Sequence, residues 1–129
     1  MQDATDLAER IRAARVATEL TVYRVLGTVF TIVAIEPRLL EDFPGVAVDR
    51  IADPGAIASA LDAIEASRPY HSDWNVDARA GLVFSDATGQ RLLSVYLGTF
   101  DWSGEIAGRR CIFEEPALRR WLEERYHDI

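Results

Sequence analysis

The feature that most constrains this chain is residues 79–98, which have the pattern of two β-strands joined by a tight turn. Residues 82–84, Leu-Val-Phe, form an apolar run of the kind that suits a half-buried pleated surface. Residues 93–97, Leu-Ser-Val-Tyr-Leu, then alternate with the period of two that is typical of a strand. Because an isolated hairpin is only marginally stable in water, other strands or a helix must pack against this one.

The turn of this hairpin is predicted at residues 86–89, Asp-Ala-Thr-Gly. The Asp86 carboxylate can accept hydrogen bonds from backbone N–H groups ahead of it, which favours a type I turn. Gly89 can adopt the positive φ that closes such a turn into a bulged hairpin.

Three segments have the apolar spacing of helices: residues 4–16, 54–66 and 116–126. The second is the clearest, because Asp53 can cap free N–H groups and Pro54 suits the first helical position. The first either packs on the core or forms a peripheral arm, and its apolar stripe favours packing.

Strand-like patterns also occupy residues 20–26, 29–35, 46–51 and 106–113. Residues 69–77 are predicted to form a loop and residues 101–104 a turn. These segments together predict an α+β fold, with a mostly antiparallel sheet of about five strands and two or three helices packed mainly on one face. The sequence shows no linker or repeat, so residues 1–129 are expected to form a single domain.

The charge balance narrows the class of partner. The chain has 21 acidic residues against 14 basic ones, which gives a net charge of −7. This balance opposes binding to nucleic acid, which depends on neutralising phosphates, and it steers the protein toward basic partners. The longest apolar run, residues 25–35, is too short to cross a bilayer, so no membrane association is expected.

Cys111 is the only cysteine, which excludes an internal disulfide and a thiolate metal cluster. The acidic and polar start of the sequence lacks the pattern of a signal peptide. We therefore expect a cytoplasmic protein, with export left open in case a leader was removed. The oligomeric state is left open as well.

The sequence contains no recognisable catalytic or metal-binding pattern. His71, Asp73 and Asp77 are suitable ligand types, but they form neither a His-x3-His nor a Cys-x2-Cys arrangement. His71, Ser72 and Asp73 are consecutive, so their side chains diverge and cannot form a nucleophile relay alone. Cys111 lies in a predicted strand, where a free cysteine is usually a small buried hydrophobe. We expect no enzymatic activity, no metal and no cofactor.

Large aromatic side chains and acidic side chains occur together in the predicted loops. Aromatic anchors within a charged rim are typical of protein-binding surfaces. The alternative is that Trp74 and Trp102 fold back and cap the ends of the sheet, because large aromatics gain much from burial. The predicted partner-binding residues are Tyr70, Asp73, Trp74, Asp77, Asp101, Trp102 and Glu105.

These features predict a small acidic binding protein that inhibits a basic protein, such as an immunity protein that neutralises a bacterial toxin nuclease. A nuclease holds phosphates with cationic groups, and an acidic inhibitor can mimic the phosphate backbone. One alternative is a small-ligand-binding domain or enzyme with a site around residues 70–77, lined by Tyr70, His71, Asp73 and Trp74. Another is an assembly subunit that pairs through an edge strand at residues 106–113.

Overall fold

The computed structural model describes residues 3–25, 35–98 and 102–126. Within these residues the α-helices are α1 (Asp3–Ala13), α2 (Pro54–Ala66) and α3 (Ala117–Arg125). Two 3-10 helices cover Ala14–Val16 and Pro37–Asp42. The strands are β1 (Glu19–Arg24), β2 (Ala47–Ile51), β3 (Pro69–His71), β4 (Ala80–Ser85), β5 (Arg91–Leu97), β6 (Ser103–Ile106) and β7 (Arg109–Phe113).

The strands form one sheet in the order β2-β1-β4-β5-β6-β7-β3. Every neighbouring pair is antiparallel. The predicted α+β class is therefore confirmed, but the sheet has seven strands in the described residues rather than about five. The strand predicted at residues 29–35 lies outside the described residues, apart from Ile35.

The extra strands come from segments whose pattern was misassigned. Residues 106–113 are not one strand, because the chain turns at Ala107 and Gly108, whose φ angles are +52° and +81°. The turn predicted at residues 101–104 contributes its second half to β6, and the predicted loop begins with β3. Because β6 lies between β5 and β7, and β7 lies between β6 and β3, residues 106–113 do not form an edge strand of the described sheet, which the assembly-subunit alternative requires.

The three α-helices pack against one face of the sheet. Leu7 and Ile11 of α1 belong to the same buried cluster as residues of α2 and α3. Alternate residues of the two central strands complete this core, and alternate residues of a strand share one face. Helix α1 therefore packs on the core and is not a peripheral arm. The central-strand members of the cluster are Ala80, Leu82, Phe84, Leu93, Val95 and Leu97.

The other face of the sheet is covered in part by residues 35–43, which include the second 3-10 helix. Leu40 is fully buried in a smaller cluster with Tyr96 of β5. The carboxylate of Glu41 fixes this segment to the sheet, because it accepts hydrogen bonds from the Tyr96 hydroxyl at 3.0 Å and from Arg91 at 2.8 Å.

Local signals in the sequence place the turn of the hairpin and the start of α2 correctly. The Asp86 carboxylate accepts hydrogen bonds from the backbone N–H groups of Thr88 at 2.9 Å and Gln90 at 3.0 Å. Gly89 has a φ of +85°, as the turn requires. Helix α2 begins at the expected residue, where Asp53 accepts a hydrogen bond from the N–H of Ala56 at 2.8 Å. No helix in the described part of the chain has the length and apolar character to span a bilayer.

Candidate functional site: an aromatic depression beside a polar cleft

The sheet end formed by β6, β7 and β3 brings the predicted aromatic residues together. Ile112 of β7 pairs directly with Ser103 of β6 and with Tyr70 of β3. Directly paired residues point to the same face, so these side chains form a continuous row across three strands. Trp102 comes immediately before β6, and Trp74 follows β3 by three residues. The two tryptophans therefore flank the row.

These aromatic side chains are exposed rather than sealed against the ends of the sheet. The exposed fractions are 49% for Tyr70, 65% for Trp74 and 44% for Trp102. They border an open depression of about 450 Å³, which we call the aromatic depression. Exposed aromatic side chains that are grouped around one concavity, rather than scattered singly, make it a candidate interaction site. The lining residues are Tyr70, Trp74, Trp102, Ser103, Ile112, Phe113 and Glu114.

Trp102 is held in place by neighbouring elements. Its backbone carbonyl accepts a hydrogen bond from the N–H of Phe113 at 2.9 Å. The guanidinium carbon of Arg119, on α3, lies 5.5 Å from the centre of a Trp102 ring. Arg119 also donates a hydrogen bond to the carbonyl of Gly98 at 3.1 Å, which restrains its position. A restrained aromatic side chain loses little entropy when a partner covers it.

A second concavity, which we call the polar cleft, lies on the same face of the sheet. Its volume is about 430 Å³. Glu105 of β6 and Arg110 of β7 form a cross-strand pair and contribute to its wall. Each is two residues from a lining residue of the aromatic depression, so both concavities open on one face. The residues that line the cleft are Glu36, Pro37, Arg38, Asn75, Val76, Glu105 and Arg110.

The loop after β3 separates the two concavities and is fixed to β7. Arg110 donates hydrogen bonds to the carbonyl of Asp73 at 3.2 Å and to the Asn75 side chain at 3.1 Å. The backbone N–H of Ser72 also donates to the carbonyl of Arg110, at 3.2 Å. Because these hydrogen bonds attach the loop to β7, the positions of Trp74 and Asn75 are fixed relative to the sheet.

The four acidic residues predicted to bind a partner differ in their location and in the contacts they make. Asp73 is almost fully exposed, and its carboxylate lies 3.4 Å from Nε2 of His71. Asp77 has a structural role, because it accepts hydrogen bonds from the N–H of Ile35 at 2.9 Å and from Arg79 at 2.8 Å. Glu105 lies in the polar cleft rather than in the aromatic depression. Asp101 is outside the described residues.

Burial raises the pKa of the Glu105 carboxyl, and the nearby charge of Arg110 lowers it to a smaller extent. Burial also raises the pKa of the Cys111 thiol, and together with a smaller contribution from Glu105 it brings that pKa to about 12. A thiol in this state stays protonated at neutral pH, so Cys111 is not an activated nucleophile. Its side chain belongs to the helix-covered core.

The described residues contain no group of three or more His, Cys, Asp or Glu side chains that could hold a metal ion. His71 and Asp73 are close together, but Asp77 is turned toward Arg79. His71 and Asp73 also do not line the aromatic depression. Of the four side chains expected to line a ligand pocket around residues 70–77, Tyr70 and Trp74 are the two that line this depression.

Sequence reasoning missed Ile112, Glu114 and Arg110 as members of this surface. Their position on this surface depends on the pairing of β7 with both β6 and β3. The assignment of residues 106–113 to one strand did not predict that pairing. The signal that could have revealed this pairing is Gly108, which suits the positive φ of a hairpin turn. Dividing the segment there places Ile112 opposite Ser103.

Comparisons with known proteins found no match to this chain among protein-family models, curated proteins or solved structures.

Proposed function

We propose that this chain is a small non-enzymatic binding protein that inhibits a basic protein partner through the aromatic depression. An immunity protein that neutralises a bacterial toxin nuclease is the form of this function that we favour. The observation that carries the proposal is the gathering of three exposed aromatic side chains, Tyr70, Trp74 and Trp102, around one concavity.

The composition of the aromatic depression supports a protein partner. Tryptophan and tyrosine are the residues most enriched among those that dominate binding energy at protein interfaces. Such residues are most effective when they lie at the centre of a contact that excludes water. Ile112 adds an apolar side chain to the lining, and Glu114 and Ser103 are its polar members. This arrangement of an apolar centre and a polar margin is typical of a recognition surface.

The overall charge supports a basic partner. A net charge of −7 on 129 residues attracts cationic proteins and accelerates their encounter at low ionic strength. A nuclease exposes cationic groups where it binds phosphates, so an acidic inhibitor can occupy that surface. Because this attraction is electrostatic, added salt should slow association more than it weakens affinity.

The test is binding to the protein encoded beside this chain, measured by isothermal titration calorimetry with purified components. Trp74→Ala and Trp102→Ala are each expected to weaken binding by at least about tenfold, because each removes a central aromatic anchor. The matched control is Val16→Ala, since Val16 is 68% exposed and lies outside both concavities. Binding by the tryptophan variants with the affinity of the unaltered protein would rule out the aromatic depression as the contact.

A further inference from the structure

Glu105 differs from the other charged side chains of the polar cleft. Its side chain is partly buried in the wall of the cleft. Within residues 3–25, 35–98 and 102–126, its carboxylate makes no hydrogen bond and no ion pair shorter than 4 Å. A partly desolvated carboxylate without a partner favours its neutral form, and the pKa of Glu105 is raised accordingly.

The other charges of the cleft already have partners. Arg38 forms an ion pair with Glu36 at 2.8 Å. Arg110 donates its hydrogen bonds to the loop after β3, although it stands opposite Glu105 in the ladder between β6 and β7. The cleft is formally balanced in charge, with two acidic and two basic side chains. Among the described residues, Glu105 has no hydrogen-bond donor for its carboxylate. A ligand that donates hydrogen bonds and carries positive charge satisfies this acceptor.

The cleft is also within reach of a partner seated in the aromatic depression. Ser103 and Glu105 are alternate residues of β6, and Arg110 and Ile112 are alternate residues of β7. Alternate residues of a strand lie roughly 7 Å apart on one face. One protein surface can therefore cover both concavities, with the Trp74 loop between them.

We infer that the polar cleft receives a cationic side chain of the partner, an arginine or a lysine, which binds to the Glu105 carboxylate. This inference rests on the proposed function and deepens it, because it specifies the chemistry that the partner presents beside its contact with the aromatic depression. A guanidinium is the better fit, since it is planar and can donate two parallel hydrogen bonds to one carboxylate.

The cleft can be tested without the partner. The probe is methylguanidinium chloride, titrated into the full chain and followed by NMR at the Glu105 carboxyl carbon and at the Asn75 side-chain amide. We expect a saturable shift at both positions, beyond the shift produced by sodium chloride at the same ionic strength. We also expect the pKa of Glu105 to fall when the probe is bound, because a nearby cation favours the charged carboxylate.

Glu105→Gln is the informative variant, since it keeps the shape of the side chain and removes the charge. It should abolish the saturable shift at Asn75, whereas Glu114→Gln, the matched change in the aromatic depression, should preserve it. In the unaltered protein, binding of the probe should weaken as the pH falls through the pKa of Glu105, which tests the same point without a substitution. A linear response equal to that of sodium chloride, or an unchanged response in Glu105→Gln, would overturn the inference.

Measurements with the partner separate this inference from the proposed function. Glu105→Gln should weaken partner binding by at least tenfold and should lose less affinity at high salt than the unaltered protein. If the tryptophan variants weaken binding and Glu105→Gln does not, the cleft inference fails and the proposed function stands. If the probe binds the cleft while the tryptophan variants bind the partner fully, the proposed function fails instead.

Discussion

At the scale of single residues, Ser67 shows how one side chain joins two helices. It follows α2 and is fully buried. Its hydroxyl donates a hydrogen bond to the carbonyl of Ala63 at 2.8 Å and accepts one from the backbone N–H of Leu118 at 2.9 Å. Helix α3 has no side-chain cap from Pro116, so Ser67 satisfies an N–H group that would otherwise lack a partner in its first turn.

Replacing Ser67 by alanine should therefore lower the free energy of unfolding by about 1–3 kcal/mol, because the Leu118 N–H is left buried without an acceptor. Urea titrations followed by circular dichroism measure this change. Ser59→Ala is the matched control: Ser59 on α2 also accepts a hydrogen bond from α3, from Nε1 of Trp121 at 2.9 Å, but it is exposed and its loss should cost less. Equal effects of the two substitutions would contradict the capping role.

At the scale of elements, the approach of β5, β6 and β7 depends on Gly104. A side-chain carbon at this position would lie 2.5 Å from the backbone carbonyl oxygen of Tyr96 and would also collide with the ring of Phe113. The backbone oxygen cannot move aside without displacing β5. The neighbouring strands therefore require glycine here, and the aromatic depression lies on the strands that this contact aligns.

Gly104→Ala should destabilise the protein by about 2 kcal/mol or more, because the added methyl group forces the strands apart. Gly89→Ala provides a useful comparison. There the methyl group meets nothing within 4 Å, and the cost comes from the left-handed backbone alone, at about 1 kcal/mol. Urea midpoints should place Gly104→Ala well below Gly89→Ala, and the reverse order would show that the strand contact is not limiting.

At the scale of the whole molecule, several buried acids with high pKa values make stability sensitive to alkaline pH. Burial raises the pKa of Tyr126 to about 12, with a contribution from its hydrogen bond to Asp49. Burial raises the pKa of Tyr96 as well, and the pKa of Cys111 to about 12. In each case the folded state keeps a proton that the unfolded chain releases, so the unfolded state is favoured as the pH rises.

The free energy of unfolding should therefore begin to fall near the unfolded cysteine pKa of about 8.5, fall more steeply above the unfolded tyrosine pKa of about 10, and continue to fall toward the folded-state pKa of about 12. Urea midpoints measured at half-unit intervals follow this decline. Tyr96→Phe should flatten the upper part of the curve, because phenylalanine has no proton to release. A midpoint that stays constant to pH 11 would contradict this assignment.

The net charge of the molecule can be counted from the sequence, but which acidic side chains are available to a partner depends on the fold. Of the predicted acidic contacts, Asp77 is bound to Arg79 and to the backbone of Ile35, while Glu105 lies in the polar cleft without a hydrogen bond to any described residue. The sequence predicts both Asp77 and Glu105 as partner-binding residues, because both lie near aromatic residues along the chain. The packing of residues 35–43 onto the sheet gives the two residues different surroundings: the backbone of Ile35 binds Asp77, and residues 36–38 line the cleft that contains Glu105.

Features determined by neighbouring residues could be predicted from the sequence alone. The hairpin turn follows from Asp86 and Gly89, and the start of α2 follows from Asp53 and Pro54, because a capping carboxylate or a permissive glycine acts within a few residues. The alternation of apolar residues likewise determined the α+β class, since its period reports local geometry.

Features that depend on distant segments were decided only by the tertiary structure. The three-residue strand Pro69–His71 has too few residues for a period, and it forms by pairing with β7 on the side opposite β6. The same pairing leaves Trp74 exposed beside Tyr70, although burial of an aromatic side chain is usually favourable. Whether a side chain is buried depends on which distant segments of the chain pack against it, and the residues next to it in the sequence do not determine that.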